Sequence, residues 1–219
     1  MTVHRRNLLL SAVPVALAAG FPSVLRAQAL PSIEGRYETL PTPQPTTNPD
    51  KVEVVEIFWY GCPHCNRFQP YIDPWQAKLP EHVEFVRLPA IFRKDWEVHA
   101  RAYYTSVALG ALNKTHAAMF GAIHGQQKKM ATKAEIQALF TQQGVDAEEF
   151  EQHYESFGVD SGVRRSKVMQ ERYGIRGVPA VVVNGKYRIT ASLAGSYPEM
   201  VKVIDALVAK EHQEMLARK

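Results

Sequence analysis

The stretch Lys51-Val52-Glu53-Val54-Val55-Glu56-Ile57-Phe58-Trp59-Tyr60-Gly61-Cys62-Pro63-His64-Cys65 decides how this chain of 219 residues folds. Apart from one lysine and two glutamates, its first ten residues are β-branched or aromatic, the length and composition of a strand covered on both faces. Pro63 fits the first position of a helix, where its missing N–H costs nothing. Phe68, Ile72, Trp75 and Leu79 then recur at helical spacing. A strand therefore runs into a helix whose N-terminus carries both cysteines, and Pro70 and Pro74 are expected to kink or interrupt that helix. Residues 82–88 alternate as a second strand, which completes a right-handed βαβ unit with parallel strands.

Working outward, residues 95–173 read as helical throughout, in segments 96–112, 114–123, 132–143, 147–157 and 162–173, with glycines at 110, 125, 144 and 158 as punctuation. A helical block between two stretches of sheet reads as an insertion, because the strands on either side need each other. Residues 178–190 return to strand, and Asn184-Gly185 between β-branched runs predicts a hairpin. Ser196-Tyr197-Pro198-Glu199 opens a last helix on a capping-box pattern. Residues 30–50, with prolines at 41, 43, 45 and 49, form a lead-in with a short first strand at 37–40. The fold class is α/β: a sheet with flanking helices over 51–219, carrying an all-helical insertion at about 95–173.

Residues 1–29 read as a cleavable export signal. Arg5 and Arg6 precede an apolar stretch, Leu8 to Ala19, and Ala27-Gln28-Ala29 supplies small residues for cleavage. The stretch is broken by Pro14 and ends at Gly20-Phe21-Pro22, too short for a membrane anchor, which needs about 20 apolar residues. The paired arginines also partly match a twin-arginine leader. The whole chain holds 26 basic and 22 acidic residues, and Arg5, Arg6 and Arg26 all lie in the leader, which leaves 23 against 22. So balanced a charge provides no footprint for nucleic acid.

Only two cysteines occur, three residues apart. A zinc site would have to recruit scattered histidines such as His99, His116 or His124, and a disulfide closing so short a loop removes little unfolded-chain entropy. Redox chemistry remains, with the Cys62–Cys65 disulfide as the reactive group and no metal or organic cofactor. Cys62, at a helix N-terminus that favours negative charge, is read as the exposed sulfur that joins a client; Cys65, one turn further in, closes the ring. His64 is expected to donate toward the Cys62 sulfur, and with Pro63 to set the redox poise. Glu53 and Glu56 have opposite parity on the strand: Glu53, near its start, reaches water, whereas Glu56 is the buried acid with a raised pKa. Met119, Met130 and Met169 are read as packing, Trp59 and Tyr60 as core or groove aromatics, and the remaining histidines as mostly solvated.

Glu56 through Cys65, together with Arg176-Gly177-Val178-Pro179, resembles the DsbA family of periplasmic disulfide oxidases in the thioredoxin-like superfamily, over nearly the whole mature chain. The resemblance implies a thioredoxin-like fold, a cis Val178–Pro179 peptide beside the cysteines, and client binding at Val178 and Pro179. It also gives Glu56 a part in proton exchange with Cys65; the family's lysine partner for this acid corresponds to a position read as Pro80. The implied activity is disulfide donation to newly exported, cysteine-containing proteins in the periplasm, with reoxidation by a DsbB-like membrane oxidase and a monomeric state. A disulfide isomerase or reductase, and a non-catalytic peptide-binding chaperone, are the alternatives.

Overall fold

The computed structural model describes residues 32–218, and the expected export signal lies outside the described residues. Strand β1 (Glu38–Thr39) is the short strand of the lead-in. Strand β2 (Val52–Phe58) follows, and all seven of its residues are buried. Helix α1 (Pro63–Gln76) starts with Cys62 as its N-cap and Pro63 in its first turn. Pro70 and Pro74 both lie inside α1, and the expected interruption does not occur. Burial of Cys65, Phe68 and Ile72 against the sheet outweighs the lost backbone hydrogen bonds, as tertiary packing commonly does for an amphipathic helix. Strand β3 (Val83–Pro89) pairs parallel to β2, with Val52 opposite Val83 and Glu56 opposite Arg87.

Five helices separate β3 from the next strand: α2 (Glu97–Ala108), α3 (Leu112–Phe120), α4 (Lys133–Gln142), α5 (Ala147–Tyr154) and α6 (Phe157–Arg172). A single π turn, Gly121–Gly125, follows α3. Local capping chemistry sets three of the starts. Thr132 and Glu135 make a reciprocal capping box at α4, and Asp146 accepts from the Glu148 and Glu149 N–H groups at α5. Ser156 caps α6 by accepting from Val159 N–H, so α6 begins at 157 and not at 162; Gly158 lies inside its first turn and is no break.

Strands β4 (Ala180–Val183) and β5 (Tyr187–Thr190) form the hairpin read from Asn184-Gly185. Both turn residues have positive φ, 50° and 63°. At Gly185 an added Cβ would stand 2.1 Å from the Gln44 carbonyl oxygen, so glycine serves the close approach of the lead-in as well as the turn. A short helix α7 (Ala191–Ala194) precedes α8 (Tyr197–Ala217), whose Ser196 cap accepts from Glu199 N–H. The sheet order is β1-β5-β4-β2-β3, antiparallel except at β2–β3, so β2 is an interior strand and β4 the middle one.

One face of the sheet, carrying Val52, Val54, Val181 and Val183, packs on Phe68 and Ile72 of α1 and on Met200, Val203, Ile204 and Leu207 of α8. The other, carrying Val55, Ile57, Leu88 and Val182, packs on Met169 and Tyr173 around α6. A third cluster joins Phe58, Tyr60, Cys62 and Cys65 to Met119, Phe120, Phe140 and Phe150 of the helical insertion. Met119, Met130 and Met169 are buried, in keeping with a packing role. The parity argument for the two glutamates holds as to face, but Glu53 does not reach water. It is 1% exposed and accepts a hydrogen bond of 2.9 Å from Thr47 N–H, because the proline-rich lead-in folds back over it.

Candidate active site

At the C-terminal end of β2 the chain turns sharply, and Cys62 N–H donates to the Trp59 carbonyl at 3.0 Å. His124, carried by the π turn of the insertion, reaches across to the Tyr60 carbonyl at 2.8 Å. The insertion thus fixes the backbone two residues before the cysteines. Gly61 is required by packing, since a Cβ there would fall 2.3 Å from the Trp59 ring, which itself stacks on Trp96 at 3.7 Å.

Both cysteines are free thiols and both are buried, which corrects the expectation of an exposed Cys62: it is 8% exposed, against 0% for Cys65. Their acidities nevertheless diverge. The Cys65 thiol donates to the Cys62 sulfur and is the largest influence bringing Cys62 down to about 6; burial opposes it, and the backbone N–H groups of Cys65 and His64 at the helix N-terminus add to it. Burial pushes Cys65 the other way, far above an ordinary thiol, and the adjacent Cys62 sulfur adds to the rise.

His64 is exposed, and its ring does not donate to the Cys62 sulfur as expected. Its Nδ1 instead lies 2.9 Å from Arg67 Nη2 and 3.3 Å from the Tyr197 hydroxyl, because the α1 geometry directs the side chain toward α8. What reaches the sulfur from this residue is its backbone N–H and a small electrostatic contribution from the ring.

Val178–Pro179 is cis, and the Val178 carbonyl accepts from the Cys62 thiol at 3.4 Å. The loop therefore lies directly against the more acidic sulfur. Beside it opens a groove of about 640 Å³ whose walls include His64, Ile175, Arg176, Val178, Pro179 and Tyr197.

Glu56 is fully buried below the cysteines. Burial raises its pKa, and the Arg87 guanidinium is the largest influence acting against that rise. Arg87, its direct neighbour in the β2–β3 register, donates from Nε to Glu56 Oε2 at 2.8 Å and from Nη2 to Asp73 Oδ1 at 2.5 Å. The partner of the acid is thus Arg87 and not the residue at Pro80; Pro80 lies in the loop before β3, out of register with Glu56. On the other side Gln69 Nε2 donates to Glu56 Oε1 at 2.8 Å and lies 3.4 Å from the Cys65 carbonyl. Gln69 Oε1 is 3.1 Å from His116 Nε2, and His116 Nδ1 is 2.9 Å from the Tyr60 hydroxyl.

Arg87, Gln69 and His116 are the residues that sequence reasoning missed. Arg87 left a signal, a lone cation inside an apolar strand, and Gln69 lies one turn beyond Cys65 on the same helical face. His116 left none: its link to the site spans 47 residues and depends on how the insertion docks. His99 and His116 are also buried, against the expectation of mostly solvated histidines; His99 bonds the Met130 carbonyl. Among the described residues no group of three or more His, Cys, Asp or Glu side chains is placed to hold a metal ion.

A model of the DSBA-like thioredoxin domain matches residues 83–202. The thiol:disulfide interchange protein DsbA of Pseudomonas aeruginosa is 44% identical over 207 residues, covering 94% of this chain and 97% of that protein. That of Azotobacter vinelandii is 44% identical over 176 residues, covering 80% and 82%. The crystal structure of P. aeruginosa DsbA superposes with a TM-score of 0.80 at 43% identity, covering 84% of this chain and 95% of that one.

Proposed function

Because this chain belongs to the DsbA family of thiol–disulfide oxidoreductases, we propose that it donates its Cys62–Cys65 disulfide to cysteine-containing proteins newly exported to the periplasm. The observation that carries this reading is the placement of the pair, Cys62 at the helix N-terminus against the Val178 carbonyl and Cys65 fully buried behind it, which holds the first thiol down to about 6 and pushes the second up. A sulfur that is stable as thiolate is a good leaving group and favours the dithiol, which makes the disulfide oxidising, an effect for which DsbA is itself a well-known example.

In the first step a client thiolate attacks Cys62, the Cys62–Cys65 bond breaks, and Cys65 leaves as a thiolate that must take up a proton inside the protein. Glu56 is the acid assigned to that exchange. In the second step another client thiolate attacks the client sulfur of the mixed disulfide, forming the client disulfide and releasing Cys62 as its stabilised thiolate. Two electrons have passed from client to enzyme. A membrane oxidase of the DsbB type takes them up again, and no metal or organic cofactor enters the cycle. In the oxidised enzyme Cys62 carries no S–H, so the Val178 carbonyl is free to accept from the backbone of an extended client laid along Val178 and Pro179. Pro63 sets the helix start, and His64 contributes its N–H. Export through residues 1–29 and a monomeric state belong to the same reading.

The test is Cys62→Ser in a client-oxidation assay. Loss of disulfide formation is expected, and oxidation at the wild-type rate would overturn the proposal. Measuring the Cys62–Cys65 reduction potential against a glutathione buffer separates oxidase from reductase, since a potential as low as that of a cytosolic reductant favours the latter.

A further inference from the structure

The polar chain from Tyr60 through His116 and Gln69 to Glu56 lies in the apolar interior between the sheet and the helical insertion, and its hydrogen-bond directions can be worked out. Arginine has no lone pair to accept with, so Arg87 Nε must donate to Glu56 Oε2. Gln69 Nε2 donates to Glu56 Oε1, which turns the Gln69 carbonyl oxygen toward His116. His116 Nε2 must then carry the hydrogen, and Nδ1, without one, accepts from the Tyr60 hydroxyl. Every donor in the row points toward the carboxylate, the arrangement that suits an ionised Glu56.

A proton added to Glu56 cannot sit on Oε2 against Arg87, so it lands on Oε1 and faces the Gln69 amide. Two donors would meet there unless the amide turns over, giving up its longer 3.4 Å contact with the Cys65 carbonyl. Its turned NH₂ group then confronts His116 Nε2–H, and that clash ends only when the imidazole moves its single hydrogen from Nε2 to Nδ1, with Tyr60 becoming the acceptor. The count balances: one proton is gained, on Glu56; one N–H bond of His116 breaks and another forms; Tyr60 keeps its hydroxyl hydrogen. We propose that His116 is a positioning residue for Glu56, its tautomer locked through the Gln69 amide to whether the carboxyl group is protonated.

The other titratable and charged groups facing this row are Arg87 on β3, Asp73 and Cys65 on α1, Tyr103 and His99 on α2, and His124 on the π turn, which bonds the Tyr60 carbonyl. Burial keeps the Tyr60 and Tyr103 hydroxyls protonated and, aided by the charge of Arg87, keeps His116 neutral, so Glu56 is the group free to change. A proton passed from Glu56 to the departing Cys65 would therefore be registered inside the helical insertion as a change of tautomer. That consequence rests on the proton-exchange role given to Glu56 above; the locking itself rests on the hydrogen-bond geometry.

Glu56→Gln provides the test, because Arg87 holds the amide oxygen of the new side chain and turns its NH₂ group toward Gln69, a permanent mimic of the protonated acid. Long-range ¹H–¹⁵N spectra of the full-length reduced protein, labelled at histidine, distinguish the two neutral tautomers. Wild type in mildly alkaline buffer should show His116 as Nε2–H and the variant as Nδ1–H, each with at least a roughly fivefold excess, the bias from about one hydrogen bond. The same tautomer in both proteins overturns the proposal, as does a doubly protonated His116 in either. Failure of the disulfide-donor reading would appear separately, as unchanged client oxidation by Cys62→Ser, and leaves the tautomer result unaffected.

Discussion

Replacing Cys65 with alanine removes the leading influence on Cys62 while leaving the helix N-terminus, the backbone N–H groups and His64 in place. A hydrogen bond to a charged acceptor contributes about 1.5–3 kcal/mol, and 1.36 kcal/mol corresponds to one pKa unit, so Cys62 should climb by about 1–2 units. From about 6 it would reach roughly 7–8, and the thiolate fraction at neutral pH would fall from about nine-tenths to between one half and one tenth. Cys65→Ser keeps a hydroxyl donor at the same place and should hold Cys62 within about half a unit of wild type. Each variant retains a single thiol, so the pH dependence of its alkylation by iodoacetamide, checked by ultraviolet thiolate absorbance, gives the midpoint directly. A midpoint for Cys65→Ala still at about 6 would refute the reasoning and assign the acidity to the backbone and helix N-terminus alone.

Three further outcomes are expected. Because the folded Cys62 thiol lies below its ordinary value near 9, its contribution to the stability of the reduced protein is fully present above that value and is lost as pH falls through about 6. At neutral pH it amounts to about 1.4 kcal/mol, equivalent to about 30 mV for a two-electron couple. Urea unfolding of reduced and oxidised protein should therefore show their stability difference growing toward alkaline pH, and a flat difference contradicts the assignment. Arg87→Met leaves Glu56 buried without its cation and should cost about 3–5 kcal/mol at neutral pH, nearly all of it through Glu56 because the Asp73 side chain is half exposed. The variant should recover as pH falls, since Glu56, already raised by burial, then protonates; equal losses at acid and neutral pH count against the buried pair. Gly61→Ala drives a methyl group into Trp59 where Trp96 blocks its retreat, and should cost about 1–3 kcal/mol in denaturant unfolding. A neutral effect would mean that the indole pair yields.

Much of the frame was legible because it depends on local pattern. The apolar run of β2, Pro63 at the helix start and Asn184-Gly185 at the hairpin each state their structure within a few residues. The start of α6 lies five residues before the one that glycine punctuation predicts, because the Ser156 cap sets it and Gly158 does not break it. The state of Glu53 and the partner of Glu56 were missed for another reason. Whether a strand carboxylate reaches water depends on what folds over it, here the lead-in at Thr47, and its partner is fixed by the register of β2 on β3. Neither is written in a window of neighbouring residues. His64 shows the limit on the chemical side: its place between the cysteines was plain, but the direction of its ring was settled by Arg67 and Tyr197.

The cluster that encloses Cys62 and Cys65 also contains Phe120, Phe140 and Phe150 of the insertion. A minimal catalyst cannot be obtained by excising residues between β3 and β4 and splicing the sheet shut, for the cut would strip one wall from the sulfur chamber and release the Tyr60 carbonyl from His124. The helices are part of the vessel in which the reaction occurs, and any shortening of this protein would have to begin elsewhere.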